Sequence, residues 1–224
     1  MLAELVALAV PPRCAACREP GRRAADVLCG ACRRALRWLS EPCCERCALP
    51  LPCGRPCPAR DAPFRAAWSA VAYEGTARDA MHALKFSAAR PLAGVMAAQI
   101  AANAPRDLLA PGATVVAVPA HPARRRVRGF DPAELLARGV AQRAGLPLQS
   151  ALRRSGGRSQ QLGASGATRR VAGRLGFWAR GPAPRSAVLV DDVHTTGATL
   201  ADCARVLLEA GAQQVVAISW ARTL

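Results

Sequence analysis

Apolar residues fall along this chain in two patterns. Short unbroken runs, Thr114 to Val118 and Ala187 to Val190, read as strands buried on both faces of a parallel sheet. Longer stretches repeat apolar residues every three or four positions and read as helices. One runs from about Ala77 to Phe86, and another from Pro91 to Ala104 with Leu92, Val95, Met96 and Ile100 on one face. A third covers Pro132 to Ala144. A fourth follows residue 199, carries Leu200, Cys203, Ala204, Leu207 and Leu208, and stops at Gly211. Phe64 to Tyr73 alternates apolar and small residues and suggests an edge strand, turned at Glu74-Gly75-Thr76. Strands alternating with helices predict an α/β fold, a parallel sheet flanked by helices.

The first 62 residues do not follow either pattern. Leu36, Trp38 and Leu39 could cover a small knuckle but cannot build a core. Asp61, Ala62 and Pro63 mark a boundary, so residues 1–62 read as one module and 63–224 as a second. Met1 to Val10 is apolar but short and lacks a basic leader. Leu2, Leu5, Val6 and Leu8 suggest a helical turn or two rather than a signal peptide. No window reaches ~18 uninterrupted apolar residues, so membrane insertion is not expected and the expected location is the cytoplasm.

What the first module lacks in apolar residues it has in cysteine. Nine of the ten cysteines precede residue 58. They form Cys14-x-x-Cys17, Cys29-x-x-Cys32, Cys44-x-x-Cys47 and Cys53-x-x-x-Cys57. Thiolates two residues apart present two sulfurs to one tetrahedral Zn2+, and two such pairs close a site. Eight ligands allow one or two structural zinc ions, which would then hold this segment folded. A disulfide framework is the alternative, and it suits small secreted domains. Cys43 could substitute for Cys44, and the pairs that share a metal are not fixed by spacing. Cys203 lies on a helix's apolar face and reads as core.

The run Ala187 to Val190 ends in two carboxylates, Asp191 and Asp192, followed by Val193-His194-Thr195-Thr196-Gly197-Ala198-Thr199. A loop of small residues at a helix N-terminus favours phosphate through its N–H groups. Gly197 and Ala198 let a phosphate approach the backbone, and Thr195, Thr196 and Thr199 add hydroxyl donors. Two acids would repel that phosphate, but they suit the adjacent hydroxyls of a ribose. Both halves are satisfied by a ribose 5-phosphate such as phosphoribosyl pyrophosphate (PRPP). No Gly-Lys-Ser/Thr is present, so this is not a P-loop.

Charge adds a second ligand class. The formal net charge is +16, and Lys85 is the only lysine. Between Ala120 and Arg180 thirteen arginines face two acids, Asp131 and Glu134. Such a field attracts polyanions, single-stranded DNA or other nucleic acid among them. Four Phe and one Tyr in the whole chain supply a poor base-stacking platform. Arg124 to Arg128 follow the strand Thr114 to Val118, in a loop where open α/β sheets bind ligands, and suit a diphosphate. Gly156 to Gly173 has almost no apolar residue and reads as a disordered stretch or a lid.

The stretch from Ala187 to Thr199 resembles the PRPP motif of type I phosphoribosyltransferases. The order of zinc knuckles, Lys85-Phe86, Arg128-Gly129-Phe130, a Gln–Arg loop and the Asp-Asp motif is similar to the ComF/GntX-like family over nearly the whole chain. That resemblance implies a type I phosphoribosyltransferase-like sheet behind a double zinc ribbon. It puts PRPP on Lys85, Asp191, Asp192, Thr195, Thr196, Gly197, Ala198 and Thr199. It adds Arg128, Gln161 and Arg169 to the two acids as catalytic residues, with Gly163 and Phe177 flanking. It also implies Mg2+ bound with PRPP. Two positions depart from the family: Asp131-Pro132 replaces an Asn-Gln, and Ala172 replaces an Asn. Purine-salvage relatives carry an Asp immediately before Thr-Gly, where Thr195 stands, and a hydroxyl is no general base near neutral pH. The resemblance is therefore compatible with transfer to an undetermined acceptor and with nucleic-acid binding in DNA uptake.

Overall fold

The computed structural model describes residues 13–21, 27–40, 42–156 and 176–224. Its strands are β1 (Ala66–Ala72), β2 (Thr114–Ala117), β3 (Leu152–Arg154), β4 (Phe177–Ala179), β5 (Ser186–His194) and β6 (Gln214–Arg222). Four of them make a fully parallel sheet in the order β1-β6-β5-β2, and β3 pairs with β4 as a separate antiparallel ribbon. The helices are α1 (Gly30–Arg34), α2 (Gly75–Phe86), α3 (Pro91–Asn103), α4 (Pro122–Arg128), α5 (Pro132–Ala144) and α6 (Ala198–Glu209).

Side chains alternate across a strand, and β5 shows what this does to the core. Val188 and Val190 join one buried cluster with Met81, Leu92, Ile100 and Leu136, from α2, α3 and α5. Ala187 and Leu189 join the other with Leu200, Val206 and Leu207 of α6 and with Phe177 of β4. Both faces are covered, which is why Ala187 to Val190 of β5 and Val215 to Ile218 of β6 are unbroken apolar runs. Cys203 is fully buried in the second cluster, as its helical position predicts.

The cysteine-rich segment clasps the sheet at β1. Cys14, Leu28, Cys32 and Leu36 pack into the first cluster. Cys47, Ala48, Ala59 and Phe64 pack into the second. Between them, Leu39 N–H donates to the Ala70 carbonyl at 3.0 Å, and Ala72 N–H donates to Arg37 at 2.8 Å. The exposed backbone of an edge strand is thus paired within the chain, which blocks pairing with another molecule.

Several elements differ from the reading of the sequence. The arginine-rich stretch after β2 is not a loop: residues 122–128 form α4, with Pro122 in its first turn and Gly129 closing it at φ 75°. Strand β5 continues through the acid pair to His194, so Asp191 and Asp192 lie within the ladder, not after it. Strands β6, β3 and β4 were not anticipated. The helical turns expected over Leu2, Leu5, Val6 and Leu8 lie outside the described residues. So does nearly all of the Gly156–Gly173 interval, with Gln161, Gly163, Arg169 and Ala172.

Candidate functional site

The sheet's C-terminal edge opens into a pocket of about 940 Å³. Lys85, Arg128, Asp191, Asp192, Thr195 and Thr199 all line it, although they come from α2, α4, β5, the following loop and α6. Thr196, Gly197 and Ala198 belong to the same loop without lining the pocket. Thr196 Oγ1 accepts from Ala198 N–H at 3.4 Å.

Lys85 is no solvated lysine. Its Nζ lies 2.8 Å from Asp192 Oδ1, with both side chains largely buried. Arg128 Nε donates to the Lys85 carbonyl at 2.7 Å, and its guanidinium stands 5.5 Å from the centre of the Phe86 ring. So the Lys-Phe and Arg-Gly-Phe pairs of the sequence form one unit around the acid pair. Asp191 Oδ1 accepts from Asp192 N–H at 2.8 Å. Burial, with the Asp192 charge beside it, pushes the Asp191 carboxyl up to about 8. Asp191 therefore takes up a proton more readily than an ordinary carboxylate, and Lys85 stands against Asp192.

The loop is held from below. Gly197 has φ 81°, a left-handed conformation, and a Cβ there would stand 2.8 Å from His194 Nε2. Burial and the nearby Arg222 cation push the His194 imidazole down to about 4, so it is neutral. Arg222, almost fully buried at the end of β6, has no acid partner among the described residues. Its Nη1 donates to the carbonyls of His194 (3.0 Å), Thr195 and Thr223 (2.6 Å), and its Nε to Cys47 (2.9 Å). Sequence reading missed both residues. The one available signal was an arginine closing the stretch Val215 to Ala221, apolar but for Ser219.

Asp131 explains the departure after Arg-Gly-Phe. Its carboxylate accepts from Ala120 N–H at 2.7 Å and Ala133 N–H at 3.1 Å, capping α5 while Pro132 fills the first turn.

The eight paired cysteines form two clusters, Cys14, Cys17, Cys29, Cys32 and Cys44, Cys47, Cys53, Cys57. In each, the ligand atoms lie within 4.8 Å of one another. A tetrahedral site with Zn–S near ~2.3 Å needs sulfurs roughly 3.8 Å apart. Cys17–Cys29 and Cys44–Cys57 both stand at 3.8 Å, far beyond disulfide length. Sequential pairs therefore share each site. Burial alone would raise the Cys14 thiol, but N–H groups of Cys29, Cys17 and Ala16 bring it down to about 6. The same opposition, with N–H groups of Arg46 and Cys47, brings Cys44 to about 7. Backbone donors thus favour thiolate at one cysteine of each cluster, while burial and the neighbouring thiols raise Cys32 and Cys47. Both clusters fit structural Zn2+. Cys43 lies outside them.

The fold and these clusters define a class: a parallel α/β domain carrying two four-cysteine zinc sites at its sheet edge. Residues 5–60 match the model of the double zinc ribbon domain. The chain is 31% identical to the DNA utilization protein YhgH of Escherichia coli (strain K12), over 97% of its own length and 100% of that protein's. The proteins of the same name from Salmonella typhimurium and Shigella flexneri are 31% and 30% identical over the same shares. The chain belongs to their family, the ComF/GntX-like family its motifs resemble. Among the described residues no helix is long and apolar enough to cross a membrane.

Proposed function

We propose that residues 63–224 bind PRPP and transfer its phosphoribosyl group to an acceptor, with residues 1–62 as a zinc-held structural module. The observation that carries this reading is the Lys85–Asp192 ion pair at 2.8 Å beside Asp191, above a small-residue loop. The acids suit the ribose hydroxyls. Thr195 to Thr199 and the α6 N-terminus suit the 5-phosphate, since the N-cap residue Gly197 has no side chain to cap the helix. Arg124 and Arg128 stand where a departing diphosphate would need charge. Mg2+ would enter with the diphosphate oxygens, as this ion usually does with one or two carboxylates. In the transfer, the bond from the anomeric carbon to diphosphate oxygen breaks, the electron pair leaves with diphosphate, and the acceptor's lone pair forms the new bond. The chain would work in the cytoplasm, where eight thiols stay reduced.

Incubation with labelled PRPP tests this reading. Diphosphate release that depends on Asp191 and Asp192 supports it, and PRPP left intact with every acceptor tried counts against transfer. A second reading, nucleic-acid binding in DNA uptake, is favoured by the arginine stripe and by the relatives' name, DNA utilization protein.

A further inference from the structure

A second pocket, of about 580 Å³, lies beside the first. Six arginines line it: Arg125 and Arg126 from α4, Arg138 from α5, Arg153 and Arg154 from β3, and Arg180 just after β4. Only two acids join them. Asp131 already accepts two backbone N–H bonds, and Glu134 is held by Arg138 at 3.7 Å. Among the described residues, none of the other five guanidiniums has an acid partner. Helix α4 divides its arginines: Arg124 and Arg128 face the first pocket, Arg125 and Arg126 the second. Pro119, Ala120, Asp131 and Arg154 form a shared wall. The Arg154 Nε is buried with no hydrogen-bond partner, although its guanidinium lies 4.7 Å from the centre of the Phe177 ring.

Five guanidiniums without acid partners repel one another in one recess, although Arg153 and Arg154 rest on the Trp178 and Phe177 rings and Arg180 donates to Ser150 Oγ. They suit several linked phosphates. No aromatic ring lines the pocket, so it offers no platform for bases. A recess of about 580 Å³ has room for the backbone of one strand but not for the body of a duplex.

We propose that this pocket binds the phosphodiester backbone of a single-stranded nucleic acid, without reading bases, and delivers it against the shared wall of the sugar-phosphate pocket. The inference deepens the nucleic-acid reading and does not depend on PRPP. Inorganic polyphosphate offers the same chemistry from another source, so the test carries both.

The experiment compares wild type, the triple variant Arg125→Ala/Arg126→Ala/Arg180→Ala, and a control with the same charge change, Arg78→Ala/Arg106→Ala/Arg185→Ala. All six side chains are exposed, so folding is spared. Fluorescein-labelled (dT)12 is titrated across a salt series, then competed with duplex and with inorganic tripolyphosphate. The pocket variant is expected to lose at least tenfold in affinity at low salt. Its log–log salt slope should flatten by roughly 2, from about 0.7 per lost phosphate contact on single strands. The control should change little, and duplex should compete poorly. Equal losses in the two variants would overturn the pocket and leave a diffuse basic surface. Tripolyphosphate bound in place of (dT)12, and lost in the pocket variant, would overturn the nucleic-acid reading while keeping an oligophosphate site. No binding of either probe would overturn both.

Discussion

Asp191 and Asp192 are neighbours in sequence but not equivalents. Alternation puts Asp192 on the face of Val188 and Val190, toward α2, where Lys85 meets it. Asp191 lies toward Cys203, whose thiol is raised first by burial and then by that charge. One acid is thus paired with a lysine, and burial raises the carboxyl of the other. His194, two residues on, gives a pH signature. Its folded value, about 4, lies below the ordinary histidine value of 6.5. The unfolded chain then binds more protons between those limits, so stability rises with pH across the window and is lost as pH falls from about 6.5 toward about 4. The whole shift is worth on the order of 3 kcal/mol. Denaturant melts at several pH values should show this slope in wild type and lose it in His194→Gln. Zinc release in acid affects both proteins, so their difference isolates the histidine. A slope unchanged by the substitution would place the titration elsewhere.

At the scale of elements, β6 joins the cysteine-rich module to the loop before α6 through Arg222. Its guanidinium donates to Cys47 on one side and to His194, Thr195 and Thr223 on the other. Replacing it with Met would leave the buried Cys47 carbonyl without its donor, while the His194 carbonyl keeps the Thr223 N–H at 3.0 Å. Arg222→Met should therefore destabilise the fold by about 1–3 kcal/mol from that lost bond, with the more exposed Thr195 and Thr223 carbonyls passing to water. Phosphate affinity should weaken in the same variant, read by calorimetry below the melting range. A stable variant with normal phosphate binding would show that the loop does not need the clamp.

Long amphipathic elements were legible from sequence because each has a buried face: α3 and α5 begin and end within a residue of expectation. Helix α4 was not, because its four arginines and fully exposed Val127 have no apolar period. Pro122 and Gly129 were its only signals. Strand β6 carries the apolar run Val215 to Ile218, yet without a flanking motif it drew no attention. Of the candidate site, the acid pair, Lys85 and Arg128 were legible as motifs. Arg222 and the division of the arginines between two pockets were not, because they depend on contacts between residues as far apart as Cys47 and Arg222.

For the whole molecule, the sheet needs its zinc module. The two cysteine clusters pack on opposite faces of the sheet, and residues between them pair with the free edge of β1. Elemental analysis of protein purified under reducing conditions should find about two zinc ions per chain. Chelation should lower the melting temperature of the entire α/β domain in one transition, not only release an N-terminal segment. Exposure of β1 should also make the stripped protein prone to aggregate. A domain that melts unchanged after both metals are removed would contradict this arrangement.

The central question is what the acid pair and its loop hold. Calorimetric titration of wild type and Asp191→Asn/Asp192→Asn with PRPP and with inorganic phosphate addresses that directly. Asn keeps size and hydrogen bonding but loses the charge-assisted acceptor, typically ~1.5–3 kcal/mol. PRPP affinity should fall roughly tenfold or more, at about 1.4 kcal/mol per decade. Phosphate should bind the variant no worse, because Thr195 to Thr199 are untouched and a repelling charge is gone. PRPP binding equally well to both proteins would contradict the assignment of this site.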